Sequence, residues 1–126
     1  MPRRNQKRKL PFDKRGGVIV VQRRMVESDI YQQLKSQEKV LLLLLQLHWK
    51  VDKPVDYGIR EAAQKIPCSR SLAMKAFKRL TDMGFITCIE ESMFSSRTQS
   101  KARGWRLEWL PFGKESPTNY WEKERD

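Results

Sequence analysis

The sequence predicts an α+β fold, mostly helical, with a core of three to four helices followed by a C-terminal β-hairpin. Three observations predict it. Residues 59–86, IREAAQKIPCSRSLAMKAFKRLTDMGFI, read as two short amphipathic helices joined by a tight turn and closed by Gly84. A leucine-rich segment starting at Ser36 has the length and apolar content of a buried central helix. Two short segments, 85–89 (FITCI) and 105–109 (WRLEW), alternate as strands do and flank a polar stretch that suits a hairpin loop.

The elements follow in chain order. Residues 1–17 hold seven cations (Arg3, Arg4, Lys7, Arg8, Lys9, Lys14, Arg15) against Asp13 and end in Gly16 and Gly17. So much charge with so few large apolar groups predicts a flexible basic arm. Residues 18–21 are Val-Ile-Val-Val, β-branched and short, which fits a strand or extended segment. Residues 25–34 place Ile30, Tyr31 and Leu34 at helical spacing and predict a short first helix. Ser36 can cap a longer helix, with Glu38 in its first turn, running to about Trp49. Its five consecutive leucines leave no clean polar stripe, so it is expected as the buried spine. Pro54 sits in the loop that follows, where that helix cannot continue.

Asp56 and Tyr57 suit a short extended piece. Gly58, three residues before Glu61, resembles a capping box with glycine in the cap position. Ile59, Ala62, Ala63 and Ile66 then form an apolar face, and Pro67 ends the helix. Ser69 is the N-cap of the next helix, 70–83, whose buried face is Ala73, Ala76, Phe77 and Leu80. Gly84 fits the left-handed position that closes it. Between Ile89 and Trp105 lies a serine-rich, basic stretch with Arg97, Lys101 and Arg103, whose ends can lengthen the strands and whose middle is a loop. Trp105 and Trp109 share a strand face and are expected to cover the core. After Pro111 the chain reads as an irregular tail, in which Tyr120 and Trp121 could anchor on the domain itself or on a second subunit. The predicted organisation is an arm at 1–17, a folded domain at 18–112 and a tail at 113–126.

A chain of 126 residues with a formal charge of +11 supports one modest domain with a polyanionic partner: DNA, RNA or an anionic membrane surface. No run reaches the roughly 18 apolar residues of a membrane span, and the basic N-terminus lacks a signal-peptide core. Residence in the cytoplasm is the expectation. Cys68 and Cys88 form no CxxC and lie near no histidine, so neither a disulfide framework nor a metal site is expected. His48, alone of its kind, lies on the leucine-rich helix as a packing residue. No catalytic set can be assembled, and no GxxxxGK[ST] phosphate loop exists. The chain is read as a non-enzyme without cofactor or small-molecule substrate.

With its apolar face turned inward, the helix at 70–83 turns Arg70, Ser71, Met74, Lys75, Lys78 and Arg79 outward. Cations on the first turns of such a helix can reach guanine O6 and N7 or a phosphate in the major groove. Met74 can touch a thymine methyl, or be exposed filler. Ser69 and Ser71 can donate to a phosphate at the helix start. Arg79 is more peripheral and phosphate-directed, and Arg60 adds a cation on the preceding helix. The hairpin stretch 92–104, with Arg97, Lys101 and Arg103, suits backbone or minor-groove contact. Arg3 and Arg4 of the arm can follow the minor groove.

These helices, the turn, the closing glycine and the hairpin resemble the winged helix-turn-helix superfamily. Residues 69–86 are similar to that family's recognition helix and its entry into the wing, and residues 59–66 to the helix before it. The likeness extends to small winged-helix proteins of bacterial prophages, plasmids and integrative elements. It is carried by Arg60-Glu61-Ala62-Ala63, Gly84-Phe85-Ile86, Trp105-Arg106-Leu107 and Pro117-Thr118-Asn119, across roughly residues 18–121. The chain departs from the family's pattern at Leu72, where a small polar residue is common, and at Pro67-Cys68, which replaces a glycine-containing turn. The resemblance implies double-stranded DNA as partner and a recognition helix carrying Arg70, Ser71, Lys75 and Lys78. It also implies a wing at 92–104. A transcriptional regulator of a mobile element, acting as a homodimer or as tandem copies on DNA, is the leading expectation. A replication, partition or transfer factor on iterated sites is the alternative, and a winged domain for protein or RNA contact is the third.

Overall fold

The structure, a computed structural model, describes residues 11–123. It is an α+β fold with five helices and a three-stranded antiparallel sheet among the described residues. The helices are α1 (Arg23–Glu27), α2 (Asp29–Gln32), α3 (Ser36–Leu47), α4 (Ile59–Lys65) and α5 (Arg70–Asp82). The strands are β1 (Val55–Tyr57), β2 (Ile86–Ser95) and β3 (Ser100–Leu107), ordered β1-β3-β2. A 3-10 turn, Tyr120–Glu122, follows near the C-terminal end.

The helix expected at 25–34 is two pieces. Ser28 is extended (φ −71°, ψ 152°), and its hydroxyl accepts the Tyr31 N–H as the cap of α2, so the chain restarts there instead of continuing. Ser36 is not a cap either. It is the first residue of α3, and the Glu38 carboxylate accepts the Lys35 N–H at 2.8 Å, which satisfies the helix start from the other side. Nor is α3 buried all round. Leu41, Leu42 and Leu45 are in the core, whereas Leu43 and Leu47 are 39% and 57% exposed. Twelve residues at 3.6 per turn present two faces, and a run of identical residues must place some on the outside. Residues 18–21 form neither helix nor strand, so the strand considered there is absent, and the Val20 carbonyl accepts from Gln46 Nε2.

The start of α4 departs from the capping-box reading. Gly58 is the extended N-cap, but the Glu61 carboxylate accepts from Arg97. The expected α5 is reproduced: Ser69 Oγ accepts the Leu72 N–H at 3.1 Å, and the four predicted residues are the buried ones. Its end is a Schellman closure. Gly84 (φ 88°) donates to the Thr81 carbonyl, and Phe85 donates to that of Leu80. The helix therefore passes into β2 with almost no loop.

β2 and β3 form a longer hairpin than expected, joined by residues 96–99 alone. The stretch 92–104 is mostly strand, because Met93–Ala102, Phe94–Lys101 and Ser95–Ser100 pair across it. The ladder shifts register between Cys88 and Glu90 and again before Met93. At Gly104 an added Cβ would meet Met93 Sδ at 2.7 Å and Pro54 Cβ at 3.1 Å, so a larger residue would have to push the flexible Met93 side chain aside and crowd Pro54.

One core joins these parts. α5 packs on α3 and α4, Phe77 stacks on Trp105 at 5.0 Å, and Phe85 meets Trp109 edge-on and Trp121 face-on. Of the two anchors open to the irregular tail, the structure shows the domain itself. Trp121 is 1% exposed, the Asn119 N–H donates to the Glu108 carbonyl, and buried Glu108 accepts from Thr87 and Thr118 hydroxyls. Among the described residues, no helix is long and apolar enough to cross a membrane.

Candidate nucleic-acid interface

The period of α5 builds the site. Burying Ala73, Ala76, Phe77 and Leu80 forces the opposite residues outward, and Ser71, Met74, Lys75 and Lys78 fall at i, i+3, i+4 and i+7 on one face. All four are exposed, as are Arg70 and the cap residue Ser69. Lys78 is 75% exposed and pairs with Asp82 at 3.1 Å. An exposed i,i+4 pair is worth only about 0.3–0.5 kcal/mol, so it yields to a stronger anion. The Ser69 oxygen is occupied by its cap bond, which leaves its hydroxyl hydrogen to donate.

Three depressions, linked in turn by the shared lining residues Ile59, Arg60 and Gln64, lie along α5 and the neighbouring α4. One, lined by Ile59, Met74, Phe77, Lys78, Arg103 and Trp105, runs between α5 and the hairpin. A second lies between α4 and the hairpin and is lined by Arg60, Lys65 and Lys101 among others. The third joins Arg60, Gln64 and Arg70 where α4 turns into α5. Arg60, Arg70, Lys78, Lys101 and Arg103 are therefore brought to one surface from three elements. Lys101 and Arg103 get there by strand alternation: they continue the face of Trp105, which is buried under Phe77.

Two predicted residues are placed elsewhere. Arg79 is half-buried at the flank of α5, and its Nε has no hydrogen-bond partner among the described residues. Arg97 turns back on its own molecule. Its guanidinium donates to Glu61 and to the Asp56 carbonyl, lies 3.5 Å from the Asp56 carboxylate and covers the Tyr57 ring at 5.4 Å. Only 29% of the side chain is exposed. Arg3 and Arg4 lie outside the described residues. Lys65 is a cation of this surface that was not expected from the sequence. It follows Glu61 at i+4 on α4, and with Arg60 it lines the depression between α4 and the hairpin.

The charges around Arg97 act on their neighbours. Burial works against its cation, but Glu61 and then Asp56 more than offset this and raise its pKa. Burial and the Glu61 charge push the Tyr57 hydroxyl up to about 12. His48 packs on the other part of that ring at 5.6 Å, and its pKa is lowered, first by burial and then by Arg97. The fold thus favours neutral His48, while the unfolded chain takes up a proton near pH 6.5. Stability from this group is complete above that value and declines as pH falls through it. We expect the denaturation midpoint to drop between about pH 7.5 and 5.5, and His48→Gln to flatten that drop. An unchanged slope in the variant would assign the dependence to other groups.

Cys68 and Cys88 are free thiols, and burial raises the pKa of Cys88. Among the described residues no group of three His, Cys, Asp or Glu is placed to hold a metal ion. No protein-family model matches this chain, and neither a curated protein nor a solved structure is found to be similar to it.

Proposed function

We propose that the chain is a sequence-specific double-stranded DNA-binding protein with a winged helix-turn-helix architecture. In this reading α4 and α5 are the two-helix unit, and β2 and β3 form the wing. The observation that carries it is the exposed face Ser71, Met74, Lys75 and Lys78, headed by Arg70 and flanked by Arg60, Lys101 and Arg103. A helix with side chains is about 10–12 Å across, and the major groove is about 12 Å wide. Arg70 and Lys75 on the early turns reach guanine edges there, Met74 meets a thymine methyl, and Lys78 and Arg103 neutralise flanking phosphates. Arg60, Lys65 and Lys101 take the backbone on the α4 side. The role is that of a transcriptional regulator of a mobile element, bound as a homodimer or as tandem copies.

Selection of bound sequences from a random duplex pool tests this. The expected result is one enriched motif, with two inverted halves about 10 base pairs apart for a dimer, or with direct repeats for a replication or partition factor. Equal recovery of all sequences would sink sequence-specific recognition and favour a domain that contacts protein or RNA. The arm has a separate effect. Removing residues 1–15 is expected to weaken every duplex alike and to flatten the dependence of log K on log salt by about 0.9 for each phosphate no longer neutralised. An unchanged salt slope would show that the arm does not touch the backbone.

A further inference from the structure

We infer that Arg97 is a positioning residue: it latches the far half of the hairpin to α4 and thereby places Lys101 beside Arg60 and Lys65. The functional part of this inference rests on the DNA-binding reading above. The latch itself rests on geometry alone.

The ladder does not hold the far half of the hairpin to the rest of the domain. β1 reaches β3 only from Trp105 to Arg103, so, among the described residues, positions 93–102 have no third strand beside them. The register shifts at Glu90 and Met93 separate that half from the regular part of β2. The tip, residues 96–99, is closed by its own bonds. The Gln99 N–H donates to the Ser95 carbonyl at 2.8 Å with Gln99 at φ 56°, and Thr98 and Ser100 hydroxyls lie 2.9 Å apart. None of these reaches another element. Arg97 does so with both guanidinium arms, to Glu61 of α4 and to the carbonyl and carboxylate of Asp56 in β1, with Tyr57 beneath. Its partners are more buried than surface ion pairs: the Glu61 and Asp56 side chains are 13% and 24% exposed. A planar fork held by two acids on an aromatic face fixes direction as well as distance.

The latch has a second effect on the same surface. Glu61 is the carboxylate among the residues that line the depression with Arg60, Lys65 and Lys101. Pairing it with Arg97 removes an acid that would repel a phosphate there. Arg97 thus improves the seat without facing it.

Amide exchange of the DNA-free protein and a mutant cycle on DNA test the two parts. In Arg97→Ala, amides of 96–101 are expected to exchange faster than in the wild type while those of α5 stay protected. On the duplex enriched from the pool, Arg97→Ala should bind roughly three- to tenfold more weakly, and Arg97→Lys nearly as weakly, because one ammonium cannot span both acids. In a Glu61→Ala, Asp56→Ala background, which leaves Arg97 only the Asp56 carbonyl, the same Arg97→Ala change should alter affinity by clearly less than in the wild type. A full effect of Arg97→Ala in that background would overturn the inference and make Arg97 a direct contact. Unchanged exchange at 96–101 would show that no latch exists. If the wild type prefers no duplex, the DNA-binding reading fails, and the exchange result still decides the latch.

Discussion

Changing Arg70 and Lys75 together to alanine is expected to abolish sequence preference while leaving the fold intact. Each lies on the exposed face at the first turns of α5, and a base contact of this kind is worth about 1–3 kcal/mol. The two positions stand more than a helical turn apart and share no partner, so their losses should nearly add. Their sum, about 2–6 kcal/mol, is comparable to the roughly 4–10 kcal/mol that separates specific from non-specific binding. The variant should therefore retain only salt-sensitive binding to any duplex. Exposed positions of this type change stability by no more than about 0.5 kcal/mol, so denaturation should match the wild type. Competition between the selected site and random duplex reads the effect. A double variant that still discriminates would remove α5 from base recognition.

Trp121→Ala is expected to be the most damaging single change to stability. The indole is 1% exposed, stacks on Phe85 at 5.8 Å, lies beneath the Arg24 guanidinium and donates from Nε1 to Asn119 Oδ1 at 3.2 Å. Truncating such a side chain costs about 3–5 kcal/mol, against a total of about 5–15 kcal/mol for a domain. Denaturant titration should show the midpoint fall sharply, and Trp121→Phe should restore much of it by keeping a stacked ring. A change of about a few tenths of a kcal/mol in the alanine variant would mean that residues 113–123 are not part of the core.

What is legible in the sequence is what short-range periodicity and capping decide. All four buried residues of α5, its cap Ser69 and its closing glycine follow from spacing within one helix. The apolar side of α4 and the loop at Pro54 follow in the same way. What is not legible depends on distant partners. Arg97 sits in a basic, serine-rich stretch and looks like a free cation, because Asp56 and Glu61 are 41 and 36 residues away. Trp121 looks like part of a tail, because its partner Phe85 lies in a different part of the chain. The hairpin looks like a long loop because its pairs, Met93 with Ala102 and Ser95 with Ser100, do not alternate apolar and polar. Ser28 is a local signal of a different kind: a serine between two apolar groups can restart a helix as easily as sit within one.

The placement of the indoles has an optical consequence. Trp105, Trp109 and Trp121 are each at most 4% exposed, and Trp49 is half-buried with its Nε1 on the Pro111 carbonyl. Three of the four strong fluorophores of the described chain therefore belong to the interior, and Trp105 among them also lines the depression beside Lys78 and Arg103. The emission of Trp49, Trp109 and Trp121 reports whether the molecule is intact, whereas that of Trp105 also responds to what fills the depression. A dye carried by the ligand separates the two signals.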